Sequence, residues 1–354
     1  MLRAWKATFL VVTSLIVVAS SWNTAHAQAL VLDGEEIADA TLYAAAKKEG
    51  GLSVYATYTS ESMSDALEGF RKDTGLAIDY IRVPTSKLYD RAIAEFTAGK
   101  LTADYMDLTD LSLIEDWKRR GILASHKVPS FDKIAPELRD KDGYWVYIVR
   151  PVQIIAVNTE LVTEADYPKS WADTFDPKWK GKIGMQSIEA GGSALTLFAF
   201  LREKVDPQAW EKIAANEPRT YATMAPGVND LVRGRVAMAY GGAASFSGQI
   251  ENGAPLKIIV PAEGIAAFGA FGNVTSVARH PNAAKIWVNY LTSKRGGGMI
   301  SKSGSYGTHP DSAAPVAAGY TAPSPSRVWS VSPEKWKSIH DTWIAEWKTI
   351  FNRQ

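Results

Sequence analysis

The chain has 354 residues, 39 Lys and Arg against 38 Asp and Glu, a net charge of +1, and no cysteine. That balance lacks the basic excess needed to bind nucleic acid or an anionic membrane surface. Without Cys there is no disulfide framework, no thiolate zinc or iron–sulfur site, and no thiol for a lipid anchor.

Arg3 and Lys6 precede an uncharged apolar run over residues 7–20, and Ala25-His-Ala27 supplies a small-x-small cleavage signal. This is the pattern of a secretory signal peptide over residues 1–27, cleaved after Ala27 and too short to span a bilayer. Its loss removes two basic charges and no acidic ones, which turns +1 into −1. A soluble periplasmic monomer of about two domains is expected.

Gly51-Leu-Ser-Val-Tyr55 reads as a strand. Met63, Ala66, Leu67 and Phe70 follow at helical spacing until Thr74-Gly75 stops them. A strand over 76–81, a helix over 88–97, a strand over 103–108 and a helix over 111–120 continue the alternation, which predicts a parallel sheet with helices on its faces. The run "WVYIVRPVQIIAVN" (145–158) is broken only by Pro151 and reads as a strand leaving one unit for another. Strands over 182–185 and 235–240 and a helix over 193–204 build the second unit, and runs at 256–260 and 272–277 carry the chain back. A helix over 282–293 follows, and a last one over 333–351 sets Trp336, Ile339, Trp343, Trp347 and Ile350 on a stripe read as core packing. The expected lobes are 28–150 with 273–354, and 151–272, joined by two crossovers around a cleft. Ligands of such sheets lie beyond the carboxyl ends of the strands. The bare stretch "YGGAASFS" (240–247) stands at such an end.

Catalytic chemistry is missing. His126, His280, His309 and His340 have no ligand spacing, Gly191-Gly-Ser-Ala-Leu195 fails the G-x-S-x-G pattern, and neither a P-loop nor G-x-G-x-x-G occurs. No enzyme activity, cofactor or metal is expected.

"SWADTFDPKWKGKI" (170–183), "HPNAAKIWVNYLTSKRGG" (280–297) and "AIAEFTAGKLTADYMDL" (92–108) carry a family likeness. Together they resemble segments of bacterial periplasmic ABC-transporter solute-binding proteins, in the branch that holds ferric-ion, phosphonate and sugar-phosphate binders. The resemblance covers nearly all of the mature chain. It implies a type II periplasmic-binding-protein fold of two α/β lobes that trap ligand by hinge closure, with an ABC permease as partner. The family's ferric ligands, a histidine, a glutamate and two tyrosines, fall here on Thr59, Thr109, Gly242 and Ala243. None of these offers the anionic oxygen that Fe(III) requires. The family's anion-binding helix start falls on Gly191, Gly192, Ser193 and Ala194, where amides and the helix dipole favour negative charge.

Strand ends add further candidates. Tyr58, Thr59 and Ser60 follow the first strand, Ser60 either touching ligand or capping a helix. Thr109 and Asp110 follow the third, with the same choice for Asp110. Arg150, a cation in an apolar run, needs a carboxylate of the protein or of the ligand. Tyr240 either stacks on ligand or forms a wall, and Glu263-Gly264 shapes the second crossover. The reading is capture of a small organic anion (phosphonate, sugar phosphate or carboxylate) for an ABC importer. A ferric-chelate binder, a secreted hydrolase and a periplasmic sensor module are the alternatives.

Overall fold

The computed structural model describes residues 28–58, 63–190, 192–323 and 327–351. The expected signal peptide and its cleavage point, and the candidates Thr59, Ser60 and Gly191, lie outside the described residues.

A hairpin of β1 (Leu30–Leu32) and β2 (Glu35–Ala38) leads into α1 (Ala40–Glu49), whose first turn is capped by Asp39 accepting from Leu42 N at 2.7 Å. Strand β3 (Gly51–Ala56), helix α2 (Ser64–Thr74), strand β4 (Ala77–Arg82), helix α3 (Thr85–Thr97), strand β5 (Tyr105–Leu108) and helix α4 (Leu111–Arg119) alternate as the hydrophobic periodicity requires. Strands β6 (Val146–Val149) and β7 (Val152–Asn158) flank Pro151, which has no N–H to give a ladder. Then come β8 (Ile183–Gln186), α5 (Gly192–Phe200), α6 (Ala209–Ala215), β9 (Arg219–Tyr221), α7 (Met224–Val232), β10 (Met238–Gly242) and α8 (Ala243–Glu251). Strands β11 (Leu256–Ile259), β12 (Ile265–Ala267) and β13 (Ala270–Val274) precede α9 (Pro281–Leu291) and α10 (Lys294–Ser301). Short strands β14 (Val316–Ala317), β15 (Tyr320–Thr321) and β16 (Val328–Trp329) lead to α11 (Pro333–Phe351).

Two sheets result. The first runs β4-β3-β5-β13-β6, and the second β16-β12-β7-β10-β8-β9 with β11 also paired to β7. The sheets are mixed rather than parallel as expected. β3, β4 and β5 are parallel, but β13 lies antiparallel to β5 and β6, and β7 antiparallel to β10, β11 and β12. The reason is topological: a chain that crosses between lobes re-enters each sheet without a helical crossover, so its direction reverses.

The crossovers are Arg150-Pro151, between β6 and β7, and Phe268-Gly269, between β12 and β13. The second lies a few residues before the expected boundary at 273, because β13 already belongs to the first sheet from Ala270. At Gly269 a Cβ would fall 2.0 Å from the Tyr147 ring, so the return strand passes where only glycine fits. The tail also departs from the expected division, since β16 pairs with β12 in the second sheet. α11 packs on both α6 and α4 and so spans the two lobes.

The α11 stripe is core, as its spacing implied: Trp336, Ile339 and Trp347 are buried, and Trp347 meets Phe198 at 6.1 Å between ring centroids. In the first lobe Phe70 sets its edge on Trp287 at 5.0 Å. Each such ring buries about 150–250 Å2, which makes these clusters the main apolar stabilisation of the helix layers.

Candidate ligand-binding cleft

Two helix N-termini from opposite lobes line one cavity of about 360 Å3. The α2 start supplies Ser64 and Asp65, and α8 supplies Ala244, Ser245, Ser247, Gly248 and Glu251. Lys302, Ser303 and Ala317 close the remaining side. Among the described residues neither helix has a side-chain cap: Met63 precedes α2 and Gly242 precedes α8 without a capping hydrogen bond. Neither cap position among the described residues gives the first-turn amides a side-chain acceptor, and the helix dipole, met at the α2 start by Asp65, adds partial positive charge. Lys302 adds a full one. This is where the bare stretch stands. Gly242 ends β10, Ala243 begins α8, and a Cβ on Gly242 would meet nothing nearer than Ser245 Oγ at 3.8 Å.

The α5 start is arranged differently from the expectation. Gly192 lies against the first lobe, where a Cβ would fall 2.3 Å from the Thr109 carbonyl oxygen and 3.0 Å from Trp336. Ala194 is buried and Ser193 Oγ donates to Gln186 Oε1 at 3.4 Å. The first turn of α5 thus abuts protein backbone at its glycine, and it does not line the 360 Å3 cavity.

The strand-end candidates divide similarly. Thr109 Oγ1 is 2.8 Å from Thr85 Oγ1, a pairing within the first lobe. Asp110 is buried, caps α4 by accepting from Ser112 N at 2.8 Å, and lies 3.1 Å from His340 Nε2 on α11. Burial pushes its carboxyl up, but the His340 hydrogen bond and charge hold it below the usual carboxylate range. Asp110 is therefore spent on a cap and an ion pair. Tyr240 sits in the core, 1% exposed, donating to Thr174 Oγ1 at 2.6 Å and facing the Trp171 ring edge-on at 5.4 Å. Burial raises its phenol pKa, and the pleat of β10 points it away from the cleft. Ala243, the first residue of α8, is buried. Tyr58 has a buried hydroxyl without a partner among the described residues, its pKa raised by burial and by nearby Asp107, while its carbonyl accepts from Tyr80. Asp107 is itself pushed up to about 6 by burial, against hydrogen bonds from Thr57 N and Oγ1. Arg150 lines a separate cavity at the first crossover. Glu263, expected to shape the second crossover, instead accepts from Trp171 N at 3.0 Å and Ala172 N at 3.2 Å, tying it to another segment of the second lobe.

None of the sequence candidates is among the residues lining this cavity, and sequence reasoning missed its whole wall, Ser64, Asp65, Ser245 and Lys302 included. Ser245 stood inside the bare stretch. Lys302 follows a glycine-rich helix and carries no motif, and only the fold brings it to α8.

Among the described residues no group of three or more His, Asp or Glu side chains is placed to hold a metal ion. No helix among them is long and apolar enough to cross a membrane.

The sequence profile of the bacterial extracellular solute-binding proteins matches residues 101–328. The Fe(3+)-binding periplasmic protein of Serratia marcescens is 21% identical over 262 residues, 71% of this chain and 76% of its own. AfuA from Actinobacillus pleuropneumoniae, a periplasmic binding protein solved with fructose-6-phosphate bound, superposes with a TM-score of 0.69 at 21% identity. The match spans 86% of this chain and 99% of AfuA. The substrate-binding protein of an ABC transporter from Agrobacterium tumefaciens gives 0.72 at 17% identity, over 85% and 94%. At these identities the likeness to the solved structures is one of fold.

Proposed function

The chain belongs to the bacterial extracellular solute-binding protein family, and from that premise we propose that it captures a small organic anion in the cleft between α2 and α8. It then delivers that anion unchanged to an ABC permease. The observation that carries this reading is the pair of uncapped helix starts, one from each lobe, facing a common cavity beside Lys302. Helix N-termini and a lysine attract an oxyanion without any metal. A ligand held by both starts stabilises the closed arrangement of the lobes over the open one, which is the differential affinity that hinge closure requires.

The same wall carries Asp65 and Glu251. Carboxylates accept hydrogen bonds from hydroxyls and repel a second anionic group. A ligand with one anionic end and several hydroxyls satisfies both halves of the wall, so a sugar phosphate fits better than a dicarboxylate. The cavity volume lies in the range of small-molecule sites. Bare Fe(III) is disfavoured because Thr109, Gly242 and Ala243 supply no anionic donor.

Thermal-shift and calorimetric titration with fructose-6-phosphate, 2-aminoethylphosphonate, citrate and ferric citrate tests the proposal. A sugar phosphate or phosphonate is expected to raise the melting temperature of the wild type, with the rise lost in Lys302→Glu. A protein that ignores all four and instead turns coloured with ferric ion overturns it.

A further inference from the structure

The first crossover borders a second cavity, of about 240 Å3, which shares no lining residue with the cleft. Its wall includes Lys133, Arg150, Thr308, His309 and Ser312, and no carboxylate. The Arg150 main chain is fully used: its N donates to Tyr306 O at 2.9 Å, and its O accepts from Tyr306 N at 3.0 Å. Its guanidinium is not. Nη2 reaches Ser330 Oγ at a long 3.4 Å, and Nε is buried without a partner among the described residues. Among the described residues Glu137 acts on it only through space.

Ser312 Oγ is also buried and unpartnered. The other basic groups of the wall lie near Glu35, although His309 Nε2 makes no hydrogen bond there. Lys133 Nζ is 3.6 Å and His309 Nε2 2.9 Å from Glu35 Oε1, and His309 Nδ1 accepts from Asp311 N at 3.1 Å. Among the described residues, unused donor capacity on this wall therefore lies on Arg150 Nε, Ser312 Oγ and His309 Nε2. A buried guanidinium left without a counter-charge is costly, and its planar fork of N–H groups matches a carboxylate or phosphate. Burial lowers the Arg150 pKa from its ordinary value, yet an arginine of this kind stays charged near neutral pH.

We propose that this cavity is a second anion site, in which one small oxyanion, carboxylate or phosphate, binds Arg150 and Ser312 and ties the first crossover to the 306–312 segment. The cavity is smaller than the usual range for organic ligands, which suits a single oxyanion rather than a sugar phosphate. The site stands on its own observations and does not depend on the cleft ligand.

The test measures melting temperature in a Lys302→Glu background, which removes the cleft lysine. Inorganic phosphate and acetate are compared with sodium chloride at equal ionic strength. The expected result is a rise of about 2 °C with phosphate or acetate over chloride. Arg150→Met in the same background abolishes the rise, and Ser312→Ala weakens the apparent affinity several-fold. If Arg150→Met does not fold, Ser312→Ala decides alone. The site is refuted if neither anion stabilises beyond chloride. It is equally refuted if the rise persists undiminished in every substituted protein that folds. Failure of the wild type to bind sugar phosphates would sink the cleft reading and leave these outcomes readable.

Discussion

His340 Nε2 lies 3.1 Å from Asp110 Oδ2, so one ion pair joins the C-terminal helix α11 to the N-cap of α4 in the first lobe. The Asp110 hydrogen bond raises the His340 pKa from 6.5 to about 9. A raised folded-state value stabilises the fold fully below pH 6.5, and the contribution disappears as pH climbs through about 9. In urea titrations, wild type should lose on the order of 2 kcal/mol across that window relative to His340→Gln. Parallel pH profiles for the two proteins would show that the pair contributes nothing.

Trp336 reinforces the same junction by donating its indole N–H to Ser112 Oγ at 3.2 Å. The remainder of α11 is tied to the second lobe, with Glu346 accepting both Arg202 Nη atoms at 2.7 and 3.1 Å. Lobe opening therefore works against the 336–340 end of this helix.

Gly192→Ala should force the lobes apart. Its Cβ would sit 2.3 Å from the Thr109 carbonyl, a backbone atom that cannot swing aside. A loss of about 1–3 kcal/mol is expected, with a larger radius of gyration in small-angle scattering. Unchanged scattering and stability would mean that the two surfaces do not meet in solution.

Ser245→Glu places a carboxylate in the cleft at the first turn of α8. It should mimic the anion, stabilise the ligand-free protein by a few tenths of a kcal/mol to about 1 kcal/mol, and abolish sugar-phosphate binding in calorimetry. Retained binding at wild-type affinity would place the anion elsewhere.

Asp104→Ala should cost about 3–5 kcal/mol. This fully buried carboxylate accepts from Ser53 N, Arg279 N, His280 N and His280 Nδ1, at 2.7 to 2.9 Å. Chemical denaturation would register the loss, while ligand affinity per folded molecule stays near that of wild type. An unaltered denaturation midpoint would contradict the four-donor arrangement.

That aspartate also explains why family resemblance was visible in the chain. The segment holding Asp104 and the one beginning at His280 are far apart in sequence, yet they meet through these hydrogen bonds. The 170–183 segment behaves alike: Trp171 is buried, its indole donates to Gly264 O at 2.9 Å, and Asn216 Nδ2 donates to Thr174 O and Asp176 O. The recognisable motifs are the ones that lock elements together. The cleft has no such signature, because amides and open space leave almost no mark on side-chain identity.

Local periodicity was enough to place most helices and strands, since burying an apolar stripe or an alternating face depends on near neighbours in the chain. It missed the short helices α1 and α6, and it missed α7, α8 and α10, whose glycines, prolines and serines hide a helical pattern that tertiary packing rescues. Polypeptide order alone thus fixed the α/β class and the presence of crossovers. Strand direction, the burial of Tyr240, the pairing of Asp110 with His340, and the meeting of α2, α8 and Lys302 emerged only on folding. Each of these depends on which distant surfaces come into contact and on which donors are already taken there, and neither is encoded within any one segment.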